Sequence, residues 1–121
     1  MADPTMESGA ALEPRIVEVV LSGHLTLESL RASLDIAEKS VSAADGAAVL
    51  LVNCQRMSAY DAAARQYFVD WNRKMQGSIR RLAVVTDRTM WQLVVSVMAL
   101  ASGQAMKGFA EPASAQHWLR G

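Results

Sequence analysis

The feature that most constrains the fold is a six-residue apolar run, Ala47–Val52, which contains no polar or charged side chain. A strand with water on one side alternates apolar and polar residues, whereas a strand covered on both faces stays apolar throughout. A second run, Leu82–Val85, has the same character. The sequence therefore predicts a central sheet of mostly parallel strands with helices packed against it.

Strand and helix signals alternate along the rest of the chain. Residues 15–21 are rich in β-branched side chains and predict a first strand, which Ser22, Gly23 and His24 bring to an end. Thr26 is predicted as the N-cap of a first helix, because apolar residues then recur every three or four positions. The other predicted elements are helices over residues 60–75, 89–101 and from 112 onward, strands over residues 79–85 and 105–109, and a short connection at residues 54–57. Thr86 or Asp87 is predicted as the N-cap of the helix over residues 89–101.

This alternation predicts an α/β fold with a mostly parallel sheet of about four to five strands and about four helices. Residues 14–121 are expected to form one domain and residues 1–13 a flexible tail, in which Ala10–Leu12 is the candidate for a short edge strand. No apolar stretch is long enough for a transmembrane segment. The first residues do not resemble a secretory signal, and Cys54 is the single cysteine, so a cytoplasmic location is expected.

The charge of the chain is balanced overall but unevenly distributed. Twelve basic and twelve acidic residues give a formal net charge of zero. Residues 1–46 carry an excess of five acids, and residues 47–88 carry an excess of four bases. A neutral total argues against nucleic acid as a partner, because such binding needs many uncompensated phosphate contacts.

Cys54 is the strongest candidate for a catalytic residue, because it follows a buried strand and precedes a helix, a position that can lower the pKa of a thiol. No histidine is nearby in sequence to act as its base, so a small buried residue is the favoured interpretation, and an enzyme is not expected. Ser58 and Asp61 also invite a catalytic interpretation, but their spacing favours a capping box. His24 and His117 have no partner at ligand spacing, so neither a metal site nor a cofactor is expected.

The predicted helix over residues 89–101 is apolar on nearly all sides. Packing on a sheet needs only one apolar stripe, so the other face is expected to meet a second copy of the chain, a partner protein or a lipid-like ligand. The alternative is a helix buried by the C-terminal segment. If the face is an interface, Trp91→Ala and Val94→Glu are expected to disrupt self-association more than stability.

Several segments, taken in order, resemble the SpoIIAA-like branch of the STAS superfamily, which is also labelled STAS/SEC14. The resemblance covers roughly residues 14–119. Its segments are Val20–Thr26, Val49–Asn53, Tyr60–Asp61 with Phe68–Trp71, Ile79–Asp87 with Trp91, and Phe109 with Ala115–Leu119. The resemblance implies a non-enzymatic protein-interaction module in bacterial signalling or regulation.

Phosphorylatable STAS proteins, the anti-sigma-factor antagonists, carry an Asp-Ser-Ser-Gly-like motif at the start of the helix that follows the central strand. Asp61 matches the Asp of that motif, but Ala62 and Ala63 replace the serines and Ala64 replaces the glycine. Alanine has no hydroxyl group, so the phosphorylation switch of that family cannot operate at this position.

The resemblance and the residue pattern together suggest two candidate sites. A surface for a protein partner is expected at Ser58, Tyr60, Asp61 and Arg65. The SEC14-like label implies an alternative function as a small apolar-ligand or lipid-binding carrier. The apolar face or pocket for either function is expected at Trp71, Met90, Trp91, Val94 and Met98.

Overall fold

The computed structural model describes residues 13–121 and consists of alternating strands and helices. The strands are β1 (Arg15–Leu25), β2 (Ala48–Tyr60), β3 (Ile79–Val85) and β4 (Met106–Phe109). The helices are α1 (Leu27–Ala43), α2 (Ala62–Met75), α3 (Thr89–Ser102) and α4 (Pro112–Arg120). The predicted tail over residues 1–13, except for Glu13, and the candidate strand Ala10–Leu12 lie outside the described residues.

The four strands form one parallel sheet in the order β1-β2-β3-β4, which confirms the predicted fold class. Helices α1, α2 and α3 pack on one face of the sheet, and α4 packs on the other. The apolar run of β2 serves both faces, because Leu50 and Val52 belong to the core under the three helices and Val49 and Leu51 to the core under α4. Helices on both faces are therefore the reason for the uninterrupted apolar run.

Strands β1 and β2 continue well beyond the point where β3 ends. Their ladder runs on to the pair Leu25 and Tyr60, whereas the last pair of β2 with β3 joins Asn53 to Val85. The prediction that Ser22–His24 ends the first strand is wrong, because the chain absorbs this segment in two register shifts, and Gly23 has a positive φ of 66°. The prediction of a connection at residues 54–57 is wrong for the same reason, since these residues belong to β2.

Helix caps agree with the sequence in one case and differ in two. Thr26 caps α1 as predicted, and its Oγ1 accepts a hydrogen bond from the backbone N–H of Ser29 (3.1 Å). The capping box predicted at Ser58 and Asp61 is wrong, because Asp61 is the N-cap of α2 but its side chain makes no capping bond. Arg88, rather than Thr86 or Asp87, is the N-cap of α3.

Among residues 13–121, no helix is both long enough and apolar enough to cross a membrane.

Candidate functional site

The structure contains an apolar cavity between the carboxyl end of the sheet and the three helices that cover it. In parallel α/β sheets, ligands bind beyond the carboxyl ends of the strands. The strands contribute side chains such as Leu21, Val52 and Val84, and α2 contributes Ala64 and Phe68. The cavity volume is about 70 Å³. Pockets for drug-sized ligands measure about 300–1,000 Å³, so the cavity as it stands has room only for a small apolar group.

Two aromatic rings and an arginine lie together beside this cavity. Tyr60, at the end of β2, and Trp91, in the first turn of α3, both line it, and their ring centroids are 5.5 Å apart in an edge-to-face arrangement. The guanidinium of Arg88 lies 4.3 Å from the centroid of the Trp91 ring and donates a hydrogen bond to the Ser58 carbonyl (3.0 Å). These contacts connect the end of β2 to the start of α3.

The residues predicted as a partner surface all lie at this end of the molecule. Tyr60 and Arg65 line the cavity and Ser58 does not, while the Ser58 and Arg65 side chains are both exposed to solvent. The carboxylate of Asp61 accepts a hydrogen bond from His24 Nε2 (2.6 Å), and both side chains are about half exposed. Sequence reasoning did not include His24 in this set, because Gly23 beside it was interpreted as the end of a strand.

The predicted apolar site is brought together only in part. Trp91, Val94 and Met98 line the cavity along one side of α3. Trp71 does not line it, because its ring is buried in the core and its indole Nε1 donates to Glu38 Oε1 on α1 (3.0 Å). Met90 does not line it either, because its side chain is exposed on the outer side of α3.

The outer side of α3 carries four large apolar side chains that contact little of the described chain. Their exposed fractions are 70% for Met90, 57% for Leu93, 65% for Val97 and 86% for Leu100. The alternative in which the C-terminal segment buries α3 is wrong, because α4 packs on the opposite face of the sheet. We call these four residues the α3 ridge.

Cys54 also borders the cavity, and its burial favours the protonated form of the thiol. Burial raises its pKa from 9.0 to about 12, because the thiolate would lose its hydration. The sulfur is therefore protonated at neutral pH, whereas a cysteine that acts as a nucleophile has to be ionised.

Comparisons with known proteins agree with this architecture. A crystal structure of an uncharacterized protein of the DUF3478 family with a SpoIIAA-like fold, from Shewanella loihica PV-4, matches with a TM-score of 0.69 and 16% sequence identity. The match covers 84% of this chain and 82% of that one, and at this identity it shows a shared fold. No curated protein matches the chain. The family model described as SpoIIAA-like matches residues 16–120, which confirms the resemblance, and the chain belongs to the SpoIIAA-like family.

Proposed function

We propose that this chain is a non-enzymatic protein-interaction module in bacterial signalling or regulation. The observation that supports this most strongly is the α3 ridge. Solvent-exposed apolar residues are common when they are scattered singly, but a contiguous patch is typical of an interaction surface. The ridge is contiguous, because its members follow one another along one side of a single helix.

The carboxyl end of β2 extends the proposed surface with polar groups. Ser58 and Arg65 are exposed there, next to the Asp61–His24 pair. An apolar centre with polar groups at its margin is the usual composition of a protein interface. Ala62 and Ala63 are also exposed at the start of α2 and offer no hydroxyl group for phosphorylation. Binding at this surface is therefore independent of phosphorylation at these two positions.

Site-specific photo-crosslinking in the native host tests this proposal. A benzoylphenylalanine residue replaces Leu93 in the ridge, and a matched control replaces Ile36, which is exposed to a similar degree (68%) on α1. We expect crosslinked protein adducts at position 93 and few or none at position 36. Absence of adducts at position 93, in a variant that melts cooperatively, would contradict the proposal.

The cavity favours a second candidate function, the binding of a small apolar ligand. Its exposed lining is wholly apolar, and it lies where α/β folds bind ligands. A lipid would require the cavity to expand several-fold, because an engineered cavity that accepts benzene measures about 150 Å³. Native mass spectrometry of the purified protein tests this function. A copurified apolar adduct supports it, whereas the bare 13.1 kDa chain, with no thermal shift from added small alkyl or aromatic compounds, contradicts it.

A further inference from the structure

We infer that the α3 ridge is the contact of a homodimer, in which it packs against the same ridge of a second copy of the chain. The inference rests on the proposed function, since it names the partner for the surface already described. Most soluble oligomers are symmetric assemblies of one chain, and in a twofold dimer the same patch meets itself. The ridge therefore has to be complementary to itself in shape and in charge.

The spacing of the ridge suits another helix of the same spacing. Met90, Leu93, Val97 and Leu100 follow one another at steps of three, four and three residues. These steps are those of the a and d positions that form the seam between two packed helices. A second copy supplies a seam of the same length and the same side-chain sizes.

The charge of α3 also favours a second copy over a charged partner. The helix Thr89–Ser102 contains no acidic or basic residue, so pairing two copies brings no like charges together along it. A partner selected by charge would find no complementary group on this helix. In contrast, the exposed side of α1 carries Glu28, Arg31, Asp35 and Lys39.

The N-terminal twelve residues are a poorer match for the ridge. Their large apolar residues are Met1, Met6 and Leu12, separated by five and six positions, which do not form one helical stripe. The chain also enters the described structure next to β1, at the edge of the sheet opposite β4, whereas α3 leads into β4. A second copy therefore fits the ridge better than the chain's own N-terminal residues.

The size of the ridge sets the expected strength of the dimer. At roughly 100 Å² of apolar surface for a fully exposed side chain, the ridge loses about 300 Å² per protomer on pairing. The two ridges together bury about 600 Å², which is well below the roughly 1,200 Å² of stable specific interfaces and in the range of weak, transient contacts. We therefore expect a weak dimer whose population rises with protein concentration.

Sedimentation velocity on the full chain tests the inference, at protein concentrations from about 1 to about 200 μM. The wild type is expected to shift from a 13.1 kDa monomer towards twice that mass. Val97→Asp and Leu100→Asp are expected to weaken dimerisation at least ~100-fold, because each places two charges in the apolar contact. Ile36→Asp is the matched control, since Ile36 is as exposed as Val97 but lies outside the ridge, and it should dimerise like the wild type.

Cooperative melting of each variant establishes that any monomer is folded. A wild type that stays monomeric at the highest concentration, or ridge variants that dimerise normally, would overturn the inference. If the wild type is monomeric while position 93 still crosslinks to another protein in the host, the homodimer is wrong and the interaction function remains. If neither association nor crosslinking occurs, both proposals fail.

Discussion

Adding one methylene group at Val84 should stabilise the protein, whereas the same addition at its neighbour Val85 should destabilise it. Val84 is buried in β3 and borders the 70 Å³ apolar cavity, so Val84→Ile places the new group in empty space. Val85 points to the opposite face and belongs to the core under α4, which includes Ala115 and Leu119. The two substitutions change the same amino acid at adjacent positions, so each controls for the other.

The magnitude follows from the size of the cavity. Burying one methylene contributes about 0.8 kcal/mol. Filling roughly a third of the cavity, at about 24 cal/mol per Å³, gives a similar figure of about 0.6 kcal/mol. The two figures describe the burial of the same methylene group, so they are alternatives and are not added together. Ordering the longer side chain costs a few tenths of a kcal/mol. We expect Val84→Ile to raise the free energy of unfolding by about 0.5 kcal/mol, and Val85→Ile to lower it by about 1–3 kcal/mol through overpacking.

Urea unfolding, followed by tryptophan fluorescence and far-UV circular dichroism, measures this difference. All variants are compared at one protein concentration, because dimerisation makes apparent stability depend on concentration. We expect the midpoint of Val84→Ile to rise with an unchanged m-value. If Val84→Ile destabilises the protein as much as Val85→Ile does, the cavity is not available to a side chain and the reasoning is wrong.

Three further predictions concern single residues. In the folded protein at pH 8, Cys54 should resist thiol reagents, because burial keeps its thiol protonated. Above pH 9.0 the wild type should lose stability more steeply than Cys54→Ala. The reason is that the thiol of the unfolded chain loses its proton near pH 9.0, whereas the thiol of the folded chain loses it only near pH 12. Fast labelling of the folded protein would contradict this. Gly103→Ala should lower the free energy of unfolding by about 1–2 kcal/mol, because Gly103 has a φ of 75° and a Cβ would lie 2.6 Å from the Gln76 side chain. Gly77→Ala, where a Cβ meets nothing within 4 Å, should be neutral or slightly stabilising, and equal losses in the two thermal melts would refute the argument. Asp61→Ala should lower the free energy of unfolding by less than about 1 kcal/mol, because the hydrogen bond between Asp61 and His24 is about half exposed to solvent. A loss above about 2 kcal/mol in urea unfolding would show a larger structural role.

The fold was predictable because its strongest constraints are local in the sequence. The apolar runs Ala47–Val52 and Leu82–Val85 must be covered on both faces, and only a sheet between helices satisfies both. The 3.6-residue periodicity of α1 likewise appears directly in the buried set Leu30, Leu34, Ala37 and Val41. Both patterns lie within short segments of the sequence, so they can be recognised without knowing which distant residues are in contact.

The ends of β1 and β2 were not predictable in the same way. Beyond Val20 and Asn53 the two strands pair with each other but no longer with β3, so many of their side chains are exposed and polar. A polar segment with a glycine looks like a turn when its partner strand is unknown. The sequence does carry a weak strand signal here, because Leu21 and Leu25 lie an even number of positions apart, and both are buried in the structure.

The candidate site was only partly predictable, because helical periodicity identifies a face but not its neighbours. Trp71 and Phe68 are three residues apart and both are buried, yet Phe68 borders the cavity and Trp71 reaches across to Glu38. Similarly, Asp61 was interpreted as a cap, whereas its carboxylate bonds to His24 on another element. Contacts between residues that are far apart in the chain produce no local sequence pattern from which they could be predicted.

Helix α3 has two apolar sides, one that lines the cavity and one that forms the α3 ridge. Substitutions on the first side should change stability, and substitutions on the second should change association. Trp91, Val94 and Met98 line the cavity and are only partly exposed, so a charge at Val94 would lie against apolar groups and should destabilise the monomer. Val94→Glu is therefore a poor test of self-association, because a loss of the dimer would be mixed with a loss of folding. Val97 is a suitable position, because its side chain is 65% exposed and a charge there stays hydrated in the monomer. A substitution at this position changes the free energy of the dimer while leaving the core intact, which a test of the interface requires.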